Sequence, residues 1–84
     1  MNFIKEKERI YCVNEEDKVI AEITFEKIDK NTMNINHTFV HESLRGQGIA
    51  SKLVQEAVKY IQAQGLQVKA TCSYAKRWLD KNER

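Results

Sequence analysis

The run Arg45-Gly46-Gln47-Gly48-Ile49-Ala50 stands between an apolar strand-like segment and a long amphipathic helix pattern, and its chemistry is that of an anion cradle. Glycine lets the backbone approach a bulky anion closely. The first turn of the following helix presents unpaired N–H groups and the positive end of its macrodipole to the same place. Pyrophosphate suits this arrangement: it would sit on the backbone N–H groups of Gly46, Gln47, Gly48, Ile49, Ala50 and Ser51, with Arg45 near enough to neutralise charge. Two common phosphate motifs are excluded by the spelling. A P-loop needs Gly-x4-Gly-Lys-Ser/Thr, whereas here Ser51 precedes Lys52 and the glycines are too close together. A dinucleotide fingerprint needs a third Gly or Ala where this chain has Ser51, and a carboxylate on the next strand, where residues 66–71 have none.

A second set of residues could move atoms rather than hold charge. Cys72 falls at the start of the last predicted helix, where the helix N-terminus lowers a thiol pKa; the plainer reading is a small apolar residue packed at a strand end. His37 shares the expected core-facing phase of Met33, Ile35 and Phe39. It is either a hydrogen-bonded core residue or, if its strand neighbours that of Cys72, the base of a Cys–His pair. His41, in the loop before the cradle, is expected in solvent. No Cys-x-x-Cys or His-rich spacing suggests a metal, and Cys12 and Cys72 read as free thiols in a reducing compartment.

These residues need elements to position them. At 84 residues the chain is expected to form one domain, 1–84, with no linker or internal repeat. Apolar residues at 42% and charged residues at 31% describe a globular chain rather than a disordered one. The net charge of +2 suits an anionic cofactor, but no basic stripe interleaved with aromatics supports a nucleic-acid groove. Charges in the first nine residues break any signal-peptide core and no later run approaches a membrane span, so a cytoplasmic protein is expected. Period-2 patterns predict strands over residues 9–13, 18–28 and 33–40, with turns at residues 14–17 and 29–32. From Gly48 the period becomes helical through Ile49, Ala50, Leu53, Val54, Ala57, Val58 and Ile61, with Gly65 as the left-handed stop. A fourth strand follows at residues 66–71, parallel to the third because crossovers are right-handed, and then a short helix capped by Ser73.

Read as Arg45-x-x-Gly48-x-Ala50, the loop resembles the acetyl-coenzyme A motif of the GNAT superfamily of N-acetyltransferases. The likeness extends from the strand Met33-Asn34-Ile35-Asn36-His37-Thr38-Phe39-Val40 through the helix to Cys72-Ser73-Tyr74. With the chain's length, it is similar to the minimal single-domain GNAT-like proteins of the YjdJ type. The resemblance implies an α/β (α+β) fold: a mainly antiparallel sheet of about four strands, one long helix and a short C-terminal helix. It implies acetyl-coenzyme A as cofactor, with Phe39 and Val40 offering backbone groups to the pantetheine arm and Lys76 and Arg77 near the ribose phosphate. The family's usual acid is a tyrosine in an Asn-x-x-Ala-x-x-x-Tyr pattern. Aligned here, Cys72 takes the Asn, Ala75 the Ala and Leu79 the tyrosine, so that acid is missing. Tyr74 is the candidate substitute, and Cys72, beside the expected thioester, would accept an acetyl group or hydrogen-bond the sulfur.

The expected function is acetyl transfer to an amine on a small molecule or protein, directly or through Cys72, by a monomer that binds neither nucleic acid nor membrane. Only a short turn at residues 14–17 occupies the place of the acceptor helices of larger GNAT enzymes, so the amine is not specified. The rival is a non-catalytic acyl-coenzyme A binding module or a partner subunit, which both the missing tyrosine and the missing helices favour.

Overall fold

Alternating apolar residues build a sheet that buries one face against a helix, in a computed structural model that describes residues 2–82. β2 (Arg9–Val13) buries Ile10 and Cys12, and β3 (Val19–Asp29) buries Ala21, Ile23 and Phe25 on the same face. α1 (Ile49–Gln62) lays Ile49, Leu53, Val54, Ala57, Val58 and Ile61 onto that face, joining them in one core with Met33 and Ile35 of β4 (Thr32–Val40). Burying each such aliphatic side chain is worth about 1.5–3 kcal/mol, so this interlock carries the stability of a small chain. α1 stops as expected: Gly65 is left-handed (φ 76°), its N–H bonds Gln62 C=O and the Leu66 N–H reaches Ile61 C=O, the paired closure of a Schellman motif.

The sheet has five strands in sequential order, not four. The added strand, β1 (Ile4–Glu6), pairs antiparallel with β2; its Ile-Lys-Glu side chains are all exposed, so no apolar alternation announced it. β5 (Gln67–Ala70) pairs parallel with β4, as the crossover rule predicts, from Thr32↔Gln67 to Ile35↔Ala70. There the pairing ends. The N–H groups of Thr71 and Cys72 both donate to Ile35 C=O (3.0 and 3.2 Å), and the chain turns into α2 (Ser73–Asn82) while β4 continues to Val40.

A bulge in β4 changes which residues face the core. Ile35 lies opposite Phe25, but His37 lies opposite Thr24, so Asn36 is an extra residue and the alternation reverses. Beyond it Thr38 and Val40 point to the α1 side, while His37 and Phe39 are exposed on the other face. The expectation that His37 and Phe39 continue the core phase of Met33 and Ile35 is therefore overturned: period 2 survives a strand but not an inserted residue.

Candidate functional site

Because β5 ends at Ala70, the last stretch of β4 has one unpaired edge. His41 N–H bonds Ile20 C=O on the β3 side (2.7 Å), and alternation then turns the N–H groups of Thr38 and Val40 toward the open side. A cavity of 380 Å³ fills this opening, bounded by Thr38 and Val40, by Leu44, by the loop residues Arg45, Gly46 and Gly48, by Ile49, Ala50 and Ser51 of α1, and by Tyr74 of α2. Thr38 and Val40 line its strand end, and Arg45 and the two glycines its loop end.

The loop end carries a run of backbone donors left free by its geometry. A 3₁₀ turn (Glu42–Leu44) precedes it, with His41 Nδ1 accepting from Ser43 N–H at 3.1 Å and Arg45 N–H bonded to Glu42 C=O. After that the bonds stop. Gly46 and Gly48 are both left-handed (φ 85° and 73°), Gly48 starts α1 without a side-chain cap, and the first helical bond is Lys52 N–H to Gly48 C=O. Among the described residues the N–H groups of Gly46, Gln47, Gly48, Ile49, Ala50 and Ser51 have no protein acceptor. A side chain at Gly46 or Gly48 would meet nothing within 4 Å, so the space beside the backbone is open to a ligand. Arg45 is exposed beside it with no carboxylate partner among the described residues.

Cys72 does not itself line the cavity; it meets the lining residue Thr38. The Cys72 C=O accepts the Lys76 N–H (2.9 Å), which makes it the residue that caps α2; Ser73, expected as the cap, is the first helical residue instead. The Cys72 thiol lies toward the first turn of α2. Burial alone would raise its pKa, but the Thr38 hydroxyl, 3.4 Å from Sγ, and the backbone N–H groups of Ala75, Tyr74 and Thr38 all favour the thiolate, and the net shift is downward. Burial has its way at Cys12, whose thiol is pushed up. The described residues hold no group of three or more metal-ligating side chains.

The remaining predicted residues divide. Tyr74 lines the cavity, and Leu79, at the place of the family's acid, is buried. His37 is not brought into hydrogen bonding with Cys72; the bulge sends it to the outer face while its neighbour Thr38 meets Sγ. Phe39 turns its ring the same outer way, and the N–H groups on the open side belong to Val40 and to Thr38, the latter facing Cys72 Sγ. Lys76 lines a different hollow with Glu26 and Asp80, whereas Arg77 lines one that shares Ser51 and Tyr74 with the main cavity. Gln47 does not line the cavity. Sequence reasoning missed Thr38, hidden by the bulge, and the bond from Trp78 Nε1 to Ser51 Oγ (2.9 Å) that ties α2 to the first turn of α1.

Among known proteins, the family model described as GCN5-related N-acetyl-transferase matches residues 9–84. Protein NATD1 of Xenopus tropicalis is 31% identical over 62 residues, covering 74% of this chain and 57% of that protein. Protein NATD1 of Homo sapiens is 29% identical over 62 residues, covering 74% of this chain and 55% of that protein. The chain thus spans little more than half the length of these relatives. In structure it is similar to a GCN5-like protein from Staphylococcus aureus solved by NMR, with a TM-score of 0.79 and 34% identity over 98% of this chain and 80% of that one. A ribosomal-protein-alanine N-acetyltransferase from Brucella melitensis shares the fold at 12% identity, with a TM-score of 0.68 over 87% of this chain and 60% of its own.

Proposed function

Because the chain belongs to the GCN5-related N-acetyltransferase family, we propose that it binds acetyl-coenzyme A in the cavity between β4, the glycine loop and α2, and passes the acetyl group to an amine. The observation that carries this reading is the run of acceptor-free N–H groups at residues 46–51, opening onto a cavity that ends at the unpaired edge of β4. The donor set suits the cofactor. Backbone N–H groups and Arg45 match a pyrophosphate, and Val40, Leu44 and Ile49 offer an apolar wall with strand N–H groups for the pantetheine amides.

When bound, the cofactor supplies an activated acetyl group as a thioester. Cys72, whose thiolate is favoured by Thr38 and the first turn of α2, can attack the thioester carbonyl. Sγ would take the acetyl group as the coenzyme sulfur leaves, and Tyr74, which lines the cavity, would supply the proton to that sulfur. In the direct route an amine attacks in place of Cys72, loses its proton to solvent, and Tyr74 keeps the same role. His37, on the outer face, serves neither route here.

A second reading, a non-catalytic acyl-coenzyme A binding module or partner subunit, is favoured by the burial of Leu79 where the family places its acid. Titration with coenzyme A and acetyl-coenzyme A, followed by intact-protein mass and thioester hydrolysis, separates these. Binding with turnover or with an acetyl adduct supports the enzyme; binding without either supports the module. Failure of both ligands to bind removes both readings.

A further inference from the structure

We propose that the outer face of the sheet carries a second ligand site, a hollow between β3, β4, β5 and α2 that takes a small zwitterion, a free amino acid with an aliphatic side chain. The hollow measures 670 Å³, within the range of about 300–1,000 Å³ usual for small-molecule sites. It shares no lining residue with the cavity beside the glycine loop, so it stands independently of the cofactor reading above.

Strand register builds the floor. Glu26 of β3 lies opposite Asn34 of β4, and Asn34 opposite Lys69 of β5, so an acid, an amide and a base stand in one row across the sheet. On α2, Lys76 and Asp80 fall one turn apart and bring a second base and a second acid to the same hollow. None of these four charges has an ion-pair partner among the described residues. Asn34 is only 6% exposed; its Nδ2 donates to Thr71 Oγ1 at 3.0 Å, and its Oδ1 accepts no hydrogen bond from a described residue. Because no fully buried side-chain oxygen among the described residues lacks a partner, Oδ1 is reached from the hollow that Asn34 lines. An ammonium fits Glu26 and this carbonyl oxygen, and a carboxylate fits Lys69 and Lys76. A ligand with one charge would satisfy one pair and leave the other facing it, whereas a zwitterion satisfies both. Ile28, exposed at the edge of the hollow, joins Ala70 and Leu79 as an apolar lining for the side chain.

The test compares leucine, N-acetyl-leucine and leucine methyl ester by calorimetry. Leucine should bind about tenfold or more tightly than either analogue, each of which lacks one of its charges, and raised salt should narrow both gaps. Glu26→Gln should lose the gap to N-acetyl-leucine and keep the gap to the ester, and a Lys69→Gln/Lys76→Gln double variant should do the reverse. Loss of structure would remove both gaps together and so does not imitate that pattern. In NMR spectra of the parent chain, leucine should shift the Asn34 side-chain amide, a readout that needs no variant. Absence of leucine binding, equal affinity for the three ligands, gaps unaltered in both variants, or shifts confined to the glycine loop overturns the site. None of these results bears on coenzyme A, whose titration tests the cofactor reading by itself.

Discussion

Two strand-to-helix junctions face each other across the opening in this sheet, and they treat the same physical problem in opposite ways. At the β4–α1 junction the helix begins at a left-handed Gly48 with no cap, and the N–H groups around it stay without acceptors. At the β5–α2 junction there is no glycine, and Cys72 starts the helix, its C=O taking the Lys76 N–H and its thiol lying toward the first turn. Each helix start favours negative charge. The open one leaves its donors without acceptors, and the closed one turns them toward a thiol whose pKa they lower. A ligand with a phosphate at one end and a thioester at the other is the kind of molecule that needs both.

The comparison breaks most visibly if the closed junction does no chemistry. If Cys72 carries the acetyl group, Cys72→Ala abolishes a hydroxylamine-labile acetyl adduct that the parent acquires from acetyl-coenzyme A. If an amine attacks directly, Cys72→Ala retains transfer and Tyr74→Phe lowers it by roughly 10²–10⁴-fold, the range for removing a general acid. Transfer that responds to neither substitution leaves the β5–α2 junction a purely structural cap.

The open junction is tested by giving it a side chain. Gly48→Val forces a β-branched residue into φ 73°, which costs about 1–2 kcal/mol of stability, although no neighbouring atom obstructs the new Cβ. Occupying the space beside the free N–H groups should weaken coenzyme binding at least about tenfold, a change equivalent to about 1.4 kcal/mol. Gly48→Asn, which tolerates the left-handed region, separates the two effects: its stability should approach the parent's while binding remains impaired. A folded Gly48→Val protein with the parent's affinity removes the cradle.

How far these junctions were legible beforehand follows from what kind of signal each carries. The open one is written in glycines, whose positive φ and lack of Cβ are local properties, and α1 in a helical period with a glycine stop; both were readable. Cys72 was readable as a residue near a helix start, but not as the cap, because capping depends on where the backbone turns, and that is decided by two N–H groups sharing Ile35 C=O. The inserted Asn36 carried no signal either. It moved His37 and Phe39 off the face that alternation assigned them and put Thr38 beside the thiol. β1 escaped notice because an exposed edge strand needs no apolar period.

The two thiols sharpen the contrast with a moderate effect on rate. Cys72 has a lowered pKa and is only partly buried, whereas buried Cys12 has a raised one, so at neutral pH alkylation at Cys72 should be about tenfold faster or more. Its rate should level off at a lower pH than that of a free thiol. The stability consequences have opposite signs. Cys72, depressed in the folded state, adds stability above the ordinary thiol pKa that is lost as pH falls through the depressed value; Cys12 takes stability away as pH rises past the ordinary value. Equal labelling rates across pH would mean that the hydrogen bonds at Sγ do not favour the thiolate.

The smallest expected effect tests whether the junctions act as one site or two. Ser51 belongs to the open junction through its free N–H and to the closed helix through its hydroxyl, which accepts the Trp78 indole N–H. Ser51→Ala leaves the N–H in place and removes only the tie. Losing one part-buried hydrogen bond should cost about 1 kcal/mol in chemical denaturation, with the slope unchanged. If the tie sets the distance between α1 and α2, coenzyme affinity should also fall severalfold, and the reactivity of Cys72, anchored independently by Ile35 and Thr38, should stay as it is. A variant that loses stability without any change in affinity shows that the tie is only packing and that the cradle recognises its ligand without help from α2.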